Sequence, residues 1–179
     1  MIATIYKNIF ETNTPHYLDV DKCLVRIKDG ASKVNVNEIR NTLDKSKKDS
    51  LKKNLPSVVF SGKYENREDK KCLEYSGVMV LDFDKVENLE TKKNEIISKD
   101  FVYACWISPS GDGLKALVKI ADPKRHRDHF KALEKEIQGI DASGINESRV
   151  CFESYDPQIY INKDAKNYSK FVKVEKEIV

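Results

Sequence analysis

The stretch "VMVLDFDK", Val78–Lys85, decides how the rest of the chain is read. An apolar run of the kind that forms a buried strand ends in two aspartates, Asp82 and Asp84, one residue apart. Strand side chains alternate between faces, so Met79, Leu81 and Phe83 share one face and Val78, Val80, Asp82 and Asp84 the other. Two carboxylates placed this way stand about 7 Å apart. They repel each other unless opposite charge lies beside them. The pair is either a strand running out into solvent or one wall of a cation site.

Downstream, the pattern is regular. "ENLETKKNEIISKD" predicts a helix and "FVYACWIS" a strand. The turn "PSGDG" leads into a third strand, "LKALVKI". "DPKRHRDHFKALEKEIQGI" predicts a second helix, with Asp122 as N-cap and Pro123 in the first turn. "RVCFES" predicts a last strand. The order is βαββαβ, the ferredoxin-like or RRM-like unit, and the fold class is α+β. In that unit the first and third strands lie side by side, the last strand flanks the first, and both helices cover one face. Leu114, Ala116, Val118 and Ile120 then join the covered face. Lys115, Leu117 and Lys119 point the other way, onto the open face that carries Asp82 and Asp84. Val78, Val80 and Leu117 are apolar on that face and need a cover, for which residues 1–76 are the candidate. The expectation is a single domain over 1–179, with a 1–76 α/β subregion packed on the sheet of a 77–160 core.

The first part of the chain is less regular. "ATIYKNIF" reads as a strand, and "DVDKCLVRIKDG" as a short helix closed by Gly30. "VNVNEIRNTLDKSKKDSLKKN" has Val36, Ile39, Leu43 and Leu51 near helical spacing and reads as one helix stopping before Pro56. "SVVFSG" reads as a short strand and the polar "KYENREDKKCLEYS" as a loop.

The 179 residues suffice for one domain with a proper core, and 40% apolar with 34% charged residues fits a soluble protein. No apolar run approaches the ~20 residues a bilayer requires. "MIATIYKNIFE" lacks the regions of a signal peptide, so a cytoplasmic protein is expected. The cysteines Cys23, Cys72, Cys105 and Cys151 form no C-x-x-C pair, which argues against a zinc ribbon. Cys105 and Cys151 read as buried hydrophobes. A net charge of +3 gives no global nucleic-acid signature, but the charge is clustered. Lys45, Lys47, Lys48, Lys52 and Lys53 form one cluster, and "DPKRHRDHFK" another. Each is a solvated helix face or a track for a phosphate backbone.

Three segments carry candidate chemistry. Hard carboxylate oxygens such as those of Asp82 and Asp84 suit Mg²⁺ or Mn²⁺. Two such ions ~4 Å apart activate an attacking hydroxyl and stabilise a leaving pyrophosphate. "SPSGDGLK", Ser108–Lys115, is either a plain hairpin turn or a phosphate contact made by backbone N–H groups, the Ser108 and Ser110 hydroxyls and Lys115. It is not a P-loop, because its glycine spacing differs and a strand follows. In "GIDASGINESRVCFESYDP", Asp141 is a candidate third carboxylate, with Asp156 its rival, and Arg149 is a candidate phosphate ligand.

"LPSVVFSGKYENR", "YSGVMVLDFDK", "SPSGDGLKALVKI" and "SRVCFESYDP", in this order, resemble the N-terminal domain of VirE-like proteins and their BT4734-like relatives. These resemble in turn the archaeo-eukaryotic primase (primase-polymerase) superfamily. The resemblance covers nearly the whole chain. It implies a catalytic core on an RRM-like sheet, with Asp82, Asp84 and Asp141 as ligands of a two-metal Mg²⁺ or Mn²⁺ site. It implies nucleotide binding by Ser108, Ser110, Gly111, Gly113, Lys115 and Arg149. Lys115 stands where many members carry a histidine, and His126 and His129, read as helix-surface residues, do not replace it. Ser61, Gly62 and Arg67 match an "F-S-G…R" element. The implied activity is DNA primase or polymerase nucleotidyl transfer on a single-stranded DNA template, using nucleoside triphosphates, in replication of a mobile element or phage. The implied partner is a replicative helicase, in trans or in a longer chain. Two other functions stay open: an inactive nucleic-acid-binding module that recruits a helicase, and a metal-dependent nuclease.

Overall fold

A computed structural model describes residues 1–174. It is a mixed α/β fold with antiparallel sheets and five α-helices. In chain order these are β1 (Ile2–Tyr6), β2 (His16–Asp19), α1 (Val20–Asp29), α2 (Lys33–Asn41), α3 (Lys45–Lys53), β3 (Ser57–Val59), β4 (Gly62–Tyr64) and β5 (Cys72–Tyr75). They continue as β6 (Val78–Phe83), α4 (Leu89–Ile97), β7 (Val102–Ile107), β8 (Leu114–Lys119), α5 (His126–Glu136), β9 (Cys151–Phe152) and β10 (Tyr160–Ile161).

The central sheet runs β10-β7-β8-β6. β6 lies beside β8, and their register sets Asp82 opposite Lys115. The period-two alternation divides this sheet as its sequence dictates. Met79, Leu81, Phe83, Leu114, Ala116 and Val118 pack against Ile96 of α4 and Phe130 and Leu133 of α5. On the opposite face Val78, Val80, Trp106 and Leu117 pack against Ala3, Leu24, Val58 and Phe60. Those partners come from β1, α1 and the β3 segment, so both faces of the sheet are covered. Each large apolar side chain taken fully out of water contributes about 1.5–3 kcal/mol. Trp106, Phe60, Met79 and Leu81 are all fully buried in these two layers.

The second sheet runs β2-β1-β3-β9. This corrects the expected place of "RVCFES". Its strand is only β9, which pairs with β3 through Ser57↔Phe152 and Val58↔Cys151 rather than flanking β6. The outer edge of β6 is met instead by a loop, where the Asp141 N–H donates to the Asp82 carbonyl oxygen at 2.8 Å. The central sheet is closed on its other side by β10, which pairs with β7.

Three further expectations change. The segment read as one helix is two, α2 and α3. Thr42 is extended, and the Asp44 side chain caps α3 by accepting from the Lys47 N–H at 2.7 Å. Leu43, counted as part of an apolar stripe, lies in the break and is 99% exposed. The segment read as a loop forms the β4–β5 hairpin. Gly62 permits it, since a Cβ there would meet the Glu74 carbonyl oxygen at 2.3 Å. Finally, His126 and His129 are buried, not on the helix surface. His129 accepts from the Asp122 N–H, and its Nδ1 is 2.7 Å from the Lys170 carbonyl oxygen. Helix α1 ends as expected at Gly30, whose φ of 85° lies in the left-handed region. Cys105 and Cys151 are buried free thiols.

Candidate functional site

At the end of β6 the chain opens a cleft of about 300 Å³. Its walls include Asp82, Asp84, Ser108, Ser110, Lys115 and Arg149. Lys52 of α3 and the apolar Ile9, Pro109, Val150 and Phe152 complete it. The cleft thus gathers residues from β6, the β7–β8 hairpin, β8, the segment before β9, and α3.

Asp82 and Lys115 form its floor. Both are buried, and the Lys115 ammonium donates to Asp82 Oδ1. The cross-strand register brings them together. Burial works against the ammonium, but the Asp82 carboxylate outweighs it and raises the Lys115 pKa above its ordinary value. Arg149 Nη2 donates to Asp82 Oδ2 at 3.2 Å and to Asp141 Oδ2 at 3.3 Å. Both oxygens of Asp82 therefore carry a fixed cationic partner. Asp84, one residue past β6, is exposed at the cleft wall, with no hydrogen-bond or ion-pair partner among the described residues.

Asp141 does not line the cleft. Its carboxylate caps a short 3₁₀ turn and is bonded by the Ser143 hydroxyl and N–H, which hold its pKa below the usual carboxylate range. It communicates with Asp82 through Arg149 and through its own backbone. The rival Asp156 is buried elsewhere. It accepts from the Ile107 and Gln158 N–H groups and pairs with Lys93, which makes it a structural residue of the β7 edge.

The "SPSGDG" turn is held as a tight hairpin. The Ser108 N–H donates to Gly113 and the Gly111 N–H donates to Ser108, so these two groups are engaged inside the turn. A Cβ at Gly113 would meet the Phe83 carbonyl oxygen at 2.5 Å, so this glycine lets the hairpin close on the end of β6. The Ser108 hydroxyl is buried without a partner, and so is Arg149 Nε. Both residues line the cleft, so unpaired polar groups stand in its wall, an arrangement that buried groups avoid unless a ligand or water meets them.

The lysine cluster divides. Lys52 reaches the cleft and pairs with Asp49, while Lys48 Nζ lies 3.4 Å from the Ser110 carbonyl oxygen. Lys45 and Lys53 flank a second groove with the exposed Phe10, and Lys47 is exposed. Sequence reasoning missed Arg40. Its Nη2 donates to the carbonyl oxygens of Ser108 at 3.0 Å and Tyr155 at 2.9 Å, and its stem packs on Gly111. An arginine on an amphipathic helix gives no sign of this in sequence. The "F-S-G…R" element is structural: the Ser61 hydroxyl donates to the Glu147 carbonyl oxygen, and Arg67 donates to that of Ile9, a cleft residue.

Among the described residues, no group of three His, Cys, Asp or Glu side chains is placed to hold a metal ion. Two ions bridged by Asp82 do not fit the residues as arranged, because both its oxygens are engaged by Lys115 and Arg149. Among the described residues, no helix is long and apolar enough to cross a membrane.

No curated protein and no solved structure matches the chain. The family model of the BT4734-like N-terminal domain matches residues 50–161, a span that holds Asp82, Asp84, the β7–β8 hairpin, Asp141 and Arg149. The chain belongs to the family of BT4734-like N-terminal domains.

Proposed function

We propose that the protein is a metal-dependent nucleotidyltransferase of the primase-polymerase type, acting on DNA in the replication of a mobile element or phage. The observation that carries this reading is the cleft. It sets carboxylates at the end of one strand against Lys115, Arg149 and an unpaired Ser108 hydroxyl, the donors that a triphosphate needs. The strand–helix–strand–strand–helix order, with β6 beside β8, supports an RRM-like core of that type, and the displaced β9 is its departure. Asp84 is the carboxylate of the cleft open to Mg²⁺ or Mn²⁺. Lys115, Arg149, Ser108 and Ser110 bind the phosphates, and Arg40 and Gly113 set the hairpin. The lysines of α3 lead a single-stranded template to the cleft mouth, and a replicative helicase is the partner that would open the duplex.

Primer extension or dinucleotide synthesis from nucleoside triphosphates with Mn²⁺ tests this reading. Activity lost in Asp82→Ala with Asp84→Ala supports it. Inactivity of the wild-type protein with every template, primer and metal sinks it. The engagement of Asp82 by two cations favours a second reading, a binding module that recruits a helicase. That reading gains if single-stranded DNA binding is retained by an inactive wild type and survives loss of both aspartates.

A further inference from the structure

The charges of the cleft point to an ion count. Two carboxylates, Asp82 and Asp84, line the cleft with three cations, Lys52, Lys115 and Arg149. Lys52 is tied to Asp49 and Arg149 is shared with Asp141, so Lys115 is the cation that Asp82 holds alone. The Lys115 ammonium occupies the place against Asp82 where a bridging ion would sit. For an ion to take Asp82, that ammonium would have to leave a buried position where, among the described residues, it has no other acceptor. An uncompensated buried charge is strongly unfavourable. The ammonium also has three N–H groups and uses one on Asp82, so two remain for a ligand in the cleft.

We propose that Lys115 stands in for one of two metal ions, so that the cleft takes a nucleoside triphosphate with a single divalent cation held at Asp84. Asp82 stays paired with Lys115 and Arg149 and orients both toward the phosphates. This rests on the nucleotidyltransferase reading. It makes Lys115 a determinant of metal stoichiometry, which a phosphate-binding role alone would not.

The test counts Mn²⁺, independently of turnover. The full chain is dialysed to equilibrium with Mn²⁺ and a non-hydrolysable nucleoside triphosphate, and bound metal and nucleotide are measured together. The expected ratio is one Mn²⁺ per bound nucleotide in the wild type and two in Lys115→Met, a substitution close in volume. Asp82→Asn should keep one ion with affinity within about threefold, and Asp84→Asn should lose it. Two ions in the wild type, or one in Lys115→Met, overturns the proposal, as does loss of the ion in Asp82→Asn. If the wild type binds no nucleotide, the nucleotidyltransferase reading fails separately. Mn²⁺ titration of protein alone, followed by the electron paramagnetic resonance of the free ion, then decides. More Mn²⁺ bound by Lys115→Met than by wild type upholds the displaced-ion account, and equal binding overturns it. Should Lys115→Met not fold, as judged by circular dichroism, the Asp82→Asn result stands as the deciding variant.

Discussion

Arg40, near the end of α2, donates from one nitrogen to the carbonyl oxygens of Ser108 and Tyr155, two segments that come together only in the folded chain. The helix meets the β7–β8 hairpin through this side chain, whose stem fills the space beside Gly111. Truncation to alanine leaves the Tyr155 carbonyl without its donor, leaves that of Ser108 with the Gly111 N–H alone, and opens a void. Arg40→Ala should lower the unfolding free energy by about 1–3 kcal/mol, measured by urea denaturation. It should also weaken triphosphate binding, because Ser108 and Ser110 lose their support. Arg40→Lys should not rescue it, since the lysine side chain is one atom shorter and its ammonium falls short of the Nη2 position that serves both oxygens. Full rescue by lysine would show that only charge matters at this position.

Gly113 makes a different contribution to the same hairpin. A methyl group there collides with the Phe83 carbonyl oxygen, which is backbone and cannot swing away. Gly113→Ala should therefore push the hairpin off the end of β6 and destabilise the protein by about 1–3 kcal/mol. The distance between Ser108 and Asp84 grows with that shift, so nucleotide binding should fall more than stability alone accounts for. A variant with unchanged melting temperature would mean that the hairpin does not close as tightly as the structure has it.

The placement of Asp82 beside Lys115 was legible in the sequence because it follows from two properties of strands. Alternation sorted the side chains of β6 and β8, and the hairpin "SPSGDG" together with the order of elements set the two strands as neighbours. What was not legible depended on contacts from afar. β9 is a pair of residues whose partner is chosen by the N-terminal sheet, and no local pattern names that partner. β5 escapes periodicity because it lies on the surface, with Leu73 59% exposed. Leu43 mimicked a helical stripe while Asp44, a good N-cap residue, marked the break. Arg40 and His129 are polar residues with partners far along the chain, so composition places them on the surface and folding does not.

His126 gives the protein an acid limit. Burial disfavours its charged form and lowers its pKa from 6.5 to about 4, with Asp69 opposing and Arg127 and His129 adding to the shift. Between these values the unfolded chain binds the proton and the folded chain does not, so unfolding becomes easier as pH falls. The contribution is complete above pH 6.5 and is lost progressively down to about 4. Its full size is about 3 kcal/mol. Unfolding free energies measured from pH 7 to 4 should show this slope in the wild type and a shallower one in His126→Gln. Equal slopes would mean that His126 is solvated or titrates normally in the folded state.

The exposed lysines of α3 can be separated from those that serve the fold. Lys48 lies against the hairpin and Lys52 lines the cleft while tied to Asp49, whereas Lys45, Lys47 and Lys53 face solvent. Replacing these three with glutamine removes charge without touching the hairpin, so stability should change by less than about 0.5 kcal/mol. If α3 tracks a single-stranded backbone, each lysine displaces condensed counterions, and each lost contact reduces the salt slope by about 0.7. The triple variant should bind single-stranded DNA roughly 10-fold to 100-fold more weakly near physiological salt, with a slope shallower by about 2. The slope is the discriminating quantity. Weaker binding with an unchanged slope would come from an indirect change in the fold, and an unchanged affinity would leave α3 as an ordinary solvated helix. The fall should be the same for different DNA sequences, because backbone charge carries no base information.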